Sequence, residues 1–313
     1  MSDFSNDVSL AIKRHKSGSH STRAARRELL KSFGKALGEQ FHGLRLANLS
    51  KKHLDWYIER IKREPSHRTG RPVSTGRQKN ILAGIRWLLE QISKSNLLPR
   101  GNAELGIKRR VYVAGSSKAI NASDELIDEI EKHNEYVASS LRLSREFGLR
   151  VEESIKIRVC DADLGNELRL QGSWCKGGVP RSVPIRTLAQ REALDSAGGV
   201  SGKNSLCPEG LSYVEHSRIF RNLVNRFGIH KVHGLRHAYA QRRYFELSGW
   251  QPPVNGGPLV GDLTDVQYQL DRAARLTVSV ELGHGRVSVT NVYLGSATVV
   301  RKPVADNTAH LID

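Results

Sequence analysis

The chain is poor in cysteine, with three among its 313 residues. Cys160, Cys175 and Cys207 are too few and too widely spaced for a disulfide framework or a paired zinc knuckle. We therefore expect three reduced thiols and no bound metal.

Long apolar runs are also missing. No stretch of about 18 apolar residues occurs, and the amino terminus lacks the apolar core of a secretory signal. The glycine-rich segment that begins at Gly198 is not a phosphate-binding loop, because its glycine spacing is one residue short and Asn204 replaces the required Ser or Thr. We therefore expect a soluble, intracellular protein with no membrane partner and no nucleotide or other cofactor.

Acidic residues are in deficit: 32 Asp and Glu face 49 Lys and Arg, a formal net charge of +17. The imbalance is uneven, since residues 1–110 hold 24 basic against 9 acidic residues while residues 111–313 hold 25 against 23. A concentrated basic surplus creates a positive potential that suits a polyanion such as nucleic acid. The first third of the chain is therefore predicted to make the main electrostatic contact, although basic residues on solvated helix faces are common.

The length of the chain allows two domains. Residues 1–19 show no apolar periodicity and are predicted to be a flexible tail. Residues 20–100 carry three helical apolar stripes and are predicted to form a basic, helical DNA-binding domain. Residues 101–117 break the periodicity with glycine and a Lys-Arg-Arg run, which indicates a linker.

Residues 118–294 alternate helical periodicity with one stretch of period two. Gly148 is predicted to end a helix, because glycine readily adopts the left-handed turn. Between Leu168 and Ile185 the alternation predicts a hairpin, with Gly177 and Gly178 in its turn. The predicted fold is therefore mainly α, with a small antiparallel β-hairpin in the second domain.

Six residues suited to phosphoryl transfer stand in order in this second domain. Their contexts are GLRVEE, WCKGGVPRSVPI, HGLRH, and LGH followed nine residues later by tyrosine. The six are Arg150, Lys176, His233, Arg236, His284 and Tyr293.

These motifs resemble the catalytic boxes of the tyrosine recombinases, also called the phage integrase family, and residues 20–100 resemble the family's core-binding domain in outline. The resemblance implies the two-domain tyrosine recombinase architecture and a site-specific DNA recombinase (integrase) of a mobile element or chromosome. It implies a homotetramer on two double-stranded DNA sites in a bacterial-type cytoplasm, at the nucleoid. It leaves open whether accessory DNA-bending proteins take part.

The two arginines of the set are suited to stabilise the negative charge that develops on the phosphate during the reaction. Attack on a phosphodiester adds negative charge to its non-bridging oxygens, and guanidinium groups offer paired donors that stay protonated. Arg150 and Arg236 are therefore predicted to clamp the phosphate. Glu153, three residues after Arg150 on one helical face, is predicted to orient its guanidinium.

Tyr293 is predicted to be the nucleophile, leaving a 3′-phosphotyrosine and a free 5′-hydroxyl as the resemblance implies. A phenol has a reference pKa of about 10 and needs a base at neutral pH, for which His233 is the candidate. Lys176 is predicted to protonate the departing 5′ oxygen. His284 is predicted to hydrogen-bond the phosphate, and neither metal nor ATP is needed.

Three other interpretations remain open. A type IB topoisomerase would use the same chemistry without site preference, and a non-catalytic DNA-binding regulator would keep the fold alone. His233 and His237 are four residues apart on one helical face and would suit zinc, but no third ligand box accompanies them. Relaxation of a random plasmid by a monomer would favour the topoisomerase, and absence of DNA cleavage would favour the regulator.

The chain departs from the family pattern in one place. Arg236 and His284 are 48 positions apart, more than the resemblance implies. The excess coincides with the Pro- and Gly-rich segment Trp250 to Asp262 and the helix-like LTDVQYQLDRAARL, so an insertion around residues 250–275 is predicted. Residues 295–313 are predicted, by resemblance, to form a tail that docks on a neighbouring protomer.

Overall fold

The computed structural model of the protein describes residues 2–65, 70–110, 113 and 115–296. The chain divides into two compact units, Met1–Val111 and Tyr112–Asp313, and this division falls inside the predicted linker. The described residues are mainly helical, with one two-stranded antiparallel sheet, which confirms the predicted fold class. Within the same residues, no helix combines the length and apolar composition needed to cross a bilayer.

The first unit contains four helices in its described part. They are α1 (Asp3–Arg14), α2 (His20–Gln40), α3 (Lys51–Arg63) and α4 (Thr75–Gln91). Their apolar stripes meet in one hydrophobic core, with Phe33 and Leu82 at its centre and fully buried. Ser19 and Ser74 cap α2 and α4 by accepting hydrogen bonds from free backbone amides at the helix starts.

Helix α1 shows that the predicted flexible tail is wrong for residues 3–14. Phe4, Val8 and Ala11 of this helix are buried, and Ser2 caps it. Phe4 meets Phe33 of α2 edge-to-face, with ring centroids 5.8 Å apart. The segment is mostly polar, and an isolated helix of this length is marginal in water. Its short apolar stripe is therefore stabilised as a helix by packing against α2.

The second unit contains nine helices in its described part. They are α5 (Asp124–His133), α6 (Glu135–Phe147), α7 (Val151–Lys156), α8 (Val159–Ala162), α9 (Leu188–Ser201), α10 (Tyr213–Arg226), α11 (His233–Ser248), α12 (Asp265–Glu281) and α13 (Asn291–Leu294). Helix α6 lies at the centre and packs against α5, α9 and α11. It is therefore the scaffold on which the ends of the neighbouring helices are placed.

The sheet consists of β1 (Glu167–Leu170) and β2 (Arg181–Pro184), paired antiparallel with Leu170 opposite Arg181. Residues 171–180 connect the strands and include a short 3-10 helix, Gly172–Trp174, so the hairpin is wider than a tight two-residue turn. Gly177 and Gly178 have φ of 85° and 74°, as a left-handed turn requires. Trp174 and Cys175 of this connection are buried, whereas Lys176 is exposed.

The helix-like segment LTDVQYQLDRAARL lies mostly within α12, where Ala274 enters the hydrophobic core while Val266, Leu270 and Leu276 are exposed. Ala274 and Val278 of α12 are buried in the same cluster as Tyr239 of α11. Residues 249–264 between α11 and α12 form an irregular loop with two short 3-10 helices. The insertion around residues 250–275 stays a prediction, and α12 leads the chain to His284. The predicted docking tail, from residue 297 onward, lies outside the described residues.

Gly148 joins α6 to α7 with φ of 61°. A Cβ atom at this position would lie 2.6 Å from Cδ1 and 2.9 Å from Cγ of the Tyr239 ring. Both the backbone conformation and the available space therefore require glycine. The turn places Arg150 at the N-cap of α7.

We expect Gly148→Ala to destabilise the second unit by about 2–4 kcal/mol, the sum of left-handed strain and overpacking against Tyr239. This corresponds to a melting temperature lowered by roughly 5–15 °C for a unit of this size, measured by circular dichroism. Gly165→Ala is the matched control, because Gly165 has φ of 85° but no atom within 4 Å of the added Cβ. Equal melting temperatures for the two variants would contradict the role of the close approach.

Candidate active site

Five of the six predicted residues converge on one region of the second unit. Arg150 caps α7, His233 and Arg236 lie in the first turn of α11, His284 follows α12, and Tyr293 lies in α13. The charges of Arg150 and Arg236 both act on the imidazoles of His233 and His284. The fold therefore brings together residues separated by up to 143 positions in the sequence.

Tyr293 is 6 % exposed and is surrounded by three imidazoles. Its hydroxyl lies 3.2 Å from Nε2 of His233, within hydrogen-bond distance. Its ring stacks on His284 with centroids 5.2 Å apart and lies 4.4 Å from the His237 ring. These contacts fix the ring, and the hydroxyl is left facing one basic nitrogen.

His233 is the nitrogen base that contacts the phenol. Burial lowers its pKa, and the positive charges of Arg236 and Arg150 lower it further. The neutral imidazole is therefore favoured at neutral pH, which is the form able to accept a proton from the hydroxyl of Tyr293.

His284 has one nitrogen engaged and one unengaged. Nδ1 lies 3.1 Å from Oγ1 of Thr290, the fully buried residue that precedes α13. Nε2 is buried and has no hydrogen-bond partner among the described residues. Burial, followed by the charges of Arg236 and Arg150, lowers the pKa of His284 to about 3. Buried polar atoms are normally hydrogen-bonded, so this ring nitrogen lacks a partner that a ligand oxygen would supply.

Arg236 is fully buried, and its guanidinium is held by backbone carbonyl groups. Nη1 donates to the carbonyl of Gly148 over 2.5 Å, and Nη2 donates to the carbonyl of Leu282. Nε has no partner among the described residues. Burial and the charge of Arg150 lower the pKa of Arg236 to about 10, so it remains a cation at neutral pH.

Glu153 is the carboxylate that balances the arginines. It is fully buried and accepts from Arg150 Nη1 over 2.5 Å, from the Arg150 backbone N–H over 2.8 Å, and from Arg181 over 2.7 and 3.0 Å. Arg236 Nη1 lies 3.8 Å away. Burial alone would raise its pKa, but the hydrogen bonds and charges of these arginines lower it to about 2.

Arg181 belongs to this site, although the sequence reasoning did not select it. It is 8 % exposed, and besides Glu153 it donates from Nε to the carbonyl of Glu281 over 2.9 Å. The signal was present in the alternation of β2, which turns Arg181 and Val183 inward together. Thr290, which holds His284, was also missed.

His237 lies beside Tyr293, with ring centroids 4.4 Å apart and ring planes tilted by 38°. Among the described residues there is no group of three or more His, Cys, Asp or Glu side chains placed to hold an ion. Burial and the charge of His233 lower the pKa of His237 to about 4, so this imidazole is neutral. The three cysteines are free thiols in the structure, as predicted.

No described contact joins Lys176 to the other five residues, although its neighbour Cys175 lies 3.4 Å from Arg181. Lys176 lies exposed in the connection between β1 and β2. No hydrogen bond or ion pair holds it within the described part of the chain. The connection carries Gly177 and Gly178, which leave its backbone with few steric restrictions.

Family models match most of the sequence. The model described as "Integrase" matches residues 106–242, and the model described as "Phage integrase, N-terminal" matches residues 1–98. A comparison with curated proteins found no match.

Solved structures share the fold at low sequence identity. A lambda integrase dimer bound to a COC′ core site aligns with a TM-score of 0.58 at 15 % identity, over 96 % of this chain and 79 % of that one. XerH site-specific recombinase bound to difH substrate aligns with 0.56 at 15 %, over 92 % and 80 %. A lambda integrase tetramer bound to a Holliday junction aligns with 0.56 at 14 %, over 94 % and 78 %.

We expect Glu153→Gln to destabilise the second unit by about 3–5 kcal/mol at pH 7, because it leaves buried arginines without a counter-charge. The pKa of Glu153 is lowered to about 2 from an ordinary 4.5, so the carboxylate stabilises the fold fully above pH 4.5. That contribution is lost as the pH falls from 4.5 towards 2.

Urea denaturation midpoints, measured across this pH range, test the expectation. The difference between wild type and Glu153→Gln should shrink with acid. Glu152→Gln is the control, since the Glu152 side chain is 47 % exposed and its ion pair is with Lys156 on the same short helix. A difference that is independent of pH would show that the loss comes from altered packing and not from charge.

Proposed function

We propose that this chain, which belongs to the tyrosine recombinase (phage integrase) family, is a site-specific DNA recombinase that uses Tyr293 to form a 3′-phosphotyrosine. The observation that carries the proposal is the hydroxyl of Tyr293, 3.2 Å from a basic nitrogen, on a ring whose centroid lies 5.9 Å from the Arg236 guanidinium. A surface tyrosine would have neither contact. The same arrangement supports a reaction in which the protein side chains supply all the catalytic groups.

Arg150 and Arg236 bind the scissile phosphate in this mechanism. Their charges are fixed before DNA arrives, because Glu153 and backbone carbonyls hold both guanidinium groups. Preorganised cations stabilise the charge that develops on the non-bridging oxygens without reorganising during the reaction. His284 adds a hydrogen bond through Nε2, the nitrogen that has no protein partner.

The cleavage step forms a bond between the Tyr293 oxygen and phosphorus and breaks the bond from phosphorus to the 5′ oxygen. The phenolic proton passes to Nε2 of His233. Lys176 donates a proton to the 5′ oxygen, after the β1–β2 connection has moved to reach it. Attack by a second strand's 5′-hydroxyl reverses these transfers, and the phosphotyrosine retains the bond energy that the rejoining needs.

The DNA partner is supported by the charge of the first unit, which carries most of the +17. We propose a homotetramer on two DNA sites, as in the lambda integrase tetramer on a Holliday junction, whose fold this chain shares. A monomer that relaxes a plasmid without site preference would favour a type IB topoisomerase. A DNA-binding protein that forms no adduct would be a regulator of the same fold.

We expect wild-type protein to form a covalent adduct with a nicked suicide substrate, and Tyr293→Phe to form none, because only the phenol supplies the attacking oxygen. The duplex is first selected from a random-sequence library by binding to Tyr293→Phe. Adducts are counted as slowed bands on a denaturing gel. Tyr268→Phe is the control, since it removes a hydroxyl of α12 outside the site. Absence of a wild-type adduct on the selected duplexes would refute the proposal.

We expect Lys176→Ala to slow cleavage by about 10²–10⁴-fold on ordinary DNA, the usual contribution of a general acid. A substrate with sulfur in place of the bridging 5′ oxygen should restore the rate, because a thiolate leaves without a proton. Arg236→Ala is the control that sulfur should not rescue, since its charge acts on the non-bridging oxygens. If sulfur does not rescue Lys176→Ala, another group is the acid.

A further inference from the structure

Helix α13, which carries Tyr293, is too short to be stable without contacts from other elements. It contains four residues, and the backbone amides of Tyr293 and Leu294 bond to the carbonyl of Thr290 while that of Gly295 bonds to Asn291. Isolated helices shorter than about 12 residues are marginal in water. Contacts from other elements must therefore determine where the hydroxyl of Tyr293 lies.

Arg275 of α12 contacts both ends of α13. Its Nη1 donates to Oδ1 of Asn291 over 3.0 Å and to the carbonyl of Gly295 over 3.0 Å. Asn291 begins the helix, and Gly295 follows its last residue. One guanidinium nitrogen thus spans the segment that contains Tyr293.

Arg275 is itself fixed by a buried polar chain. Its Nε donates to both carboxylate oxygens of Asp271 over 2.9 Å, and both side chains are at least 93 % buried. The hydroxyl of Tyr244 donates to Asp271 over 2.5 Å, and Trp250 Nε1 donates to Tyr244 over 3.0 Å. These groups belong to α11, α12 and the loop that follows α11, so the Arg275 guanidinium has little freedom to move.

Gln241 of α11 holds the same helix from a second direction. Its Nε2 donates to the carbonyl of Tyr293 over 3.0 Å. Its Oε1 accepts from Asn255 Nδ2 over 3.0 Å and from the hydroxyl of Ser117 over 3.1 Å. Gln241 is 5 % exposed, so these bonds are shielded from water.

We propose that Arg275 and Gln241 are positioning residues that place the Tyr293 hydroxyl against His233 by fixing both ends of α13. The inference rests on the proposed function of Tyr293 as nucleophile. Neither side chain has a described contact with the hydroxyl, so they act through the backbone and Asn291. An arginine is needed at position 275, because Nε satisfies Asp271 while Nη1 reaches α13, and one ammonium group does not serve both.

The test uses the full chain and the selected suicide duplex. Arg275→Lys keeps the charge that balances Asp271, and Gln241→Met keeps the side-chain size but cannot donate. Each should slow single-turnover cleavage by about 10–100-fold, the effect of misplacing a reacting group by about 1 Å, with DNA affinity within about twofold of wild type. Arg142→Lys is the control, because Arg142 pairs with Asp128 and Glu131 of α5, away from α13. Unchanged cleavage rates in Arg275→Lys and Gln241→Met would overturn the proposal.

Hydrogen peroxide separates positioning of the tyrosine from general damage to the site. In Tyr293→Phe protein, peroxide supplied in solution takes the place of the phenol, and the phosphate-binding groups still act. Adding Arg275→Lys to Tyr293→Phe should leave peroxide-dependent cleavage within about twofold, whereas adding Arg236→Lys should reduce it. An equal fall of tyrosine and peroxide cleavage in Arg275→Lys would show a merely structural role and overturn the proposal.

Amide hydrogen exchange tests, without any DNA reaction, whether Arg275 holds α13 in place. Exchange at Tyr293, Leu294 and Gly295 should rise roughly ten- to hundredfold in Arg275→Lys, the loss of one buried hydrogen bond from a charged donor. Amides of α6 should not change. If the wild type forms no DNA adduct but exchange rises in Arg275→Lys, Arg275 does hold α13 and the proposed role of Tyr293 as nucleophile is wrong. If exchange is unchanged in Arg275→Lys, Arg275 does not hold α13, and this conclusion does not depend on the DNA reaction.

Discussion

The second unit depends on one buried carboxylate in contact with positive charge. Glu153 is fully buried and touches Arg150 and Arg181, with Arg236 close by. Guanidinium groups placed in a low-dielectric interior repel one another and resist desolvation, so their assembly requires a counter-charge. With one carboxylate among three arginines the site keeps a net positive charge, which is the property a phosphodiester would exploit.

The same positive charge sets the state of the imidazoles. Burial and the arginine charges lower the pKa of His233, and they lower that of His284 to about 3. Neutral histidines can accept a proton or a hydrogen bond, whereas imidazolium groups would add to the repulsion. The electrostatics of the cluster and the proposed roles of its histidines therefore share a cause, which is burial beside Arg150 and Arg236.

Placement of the proposed nucleophile depends on a different set of contacts. Tyr293 lies on a four-residue helix, so its position depends on contacts made by α11 and α12 and by the loop between them. The buried pair Asp271 and Arg275 connects the core of the unit to this helix. The irregular loop after α11 contributes Trp250, which bonds to Tyr244, and Asn255, which bonds to Gln241, so part of the segment between Arg236 and His284 supports α13.

Much of the fold was predictable because it follows from local periodicity. The apolar stripes predicted helices α2 to α4, and the tolerance of glycine for the left-handed conformation predicted the end of α6 at Gly148. Helix α1 was missed because its burial depends on a partner, Phe33, that a local pattern does not reveal. The packing of α12 on α11 likewise depends on a partner element that local periodicity does not reveal.

The sequence by itself determined the residue types and their order: two arginines, a lysine, two histidines and a tyrosine, with an acid three residues after the first arginine. Few side-chain types can bind a phosphodiester or transfer protons during its cleavage, so the types and order of these residues indicate the reaction. Only the tertiary structure decided that Glu153 pairs with Arg181, that Thr290 holds His284, and that Arg275 reaches α13. These contacts join residues from separate elements through burial and hydrogen-bond geometry, which exist only once the helices have packed.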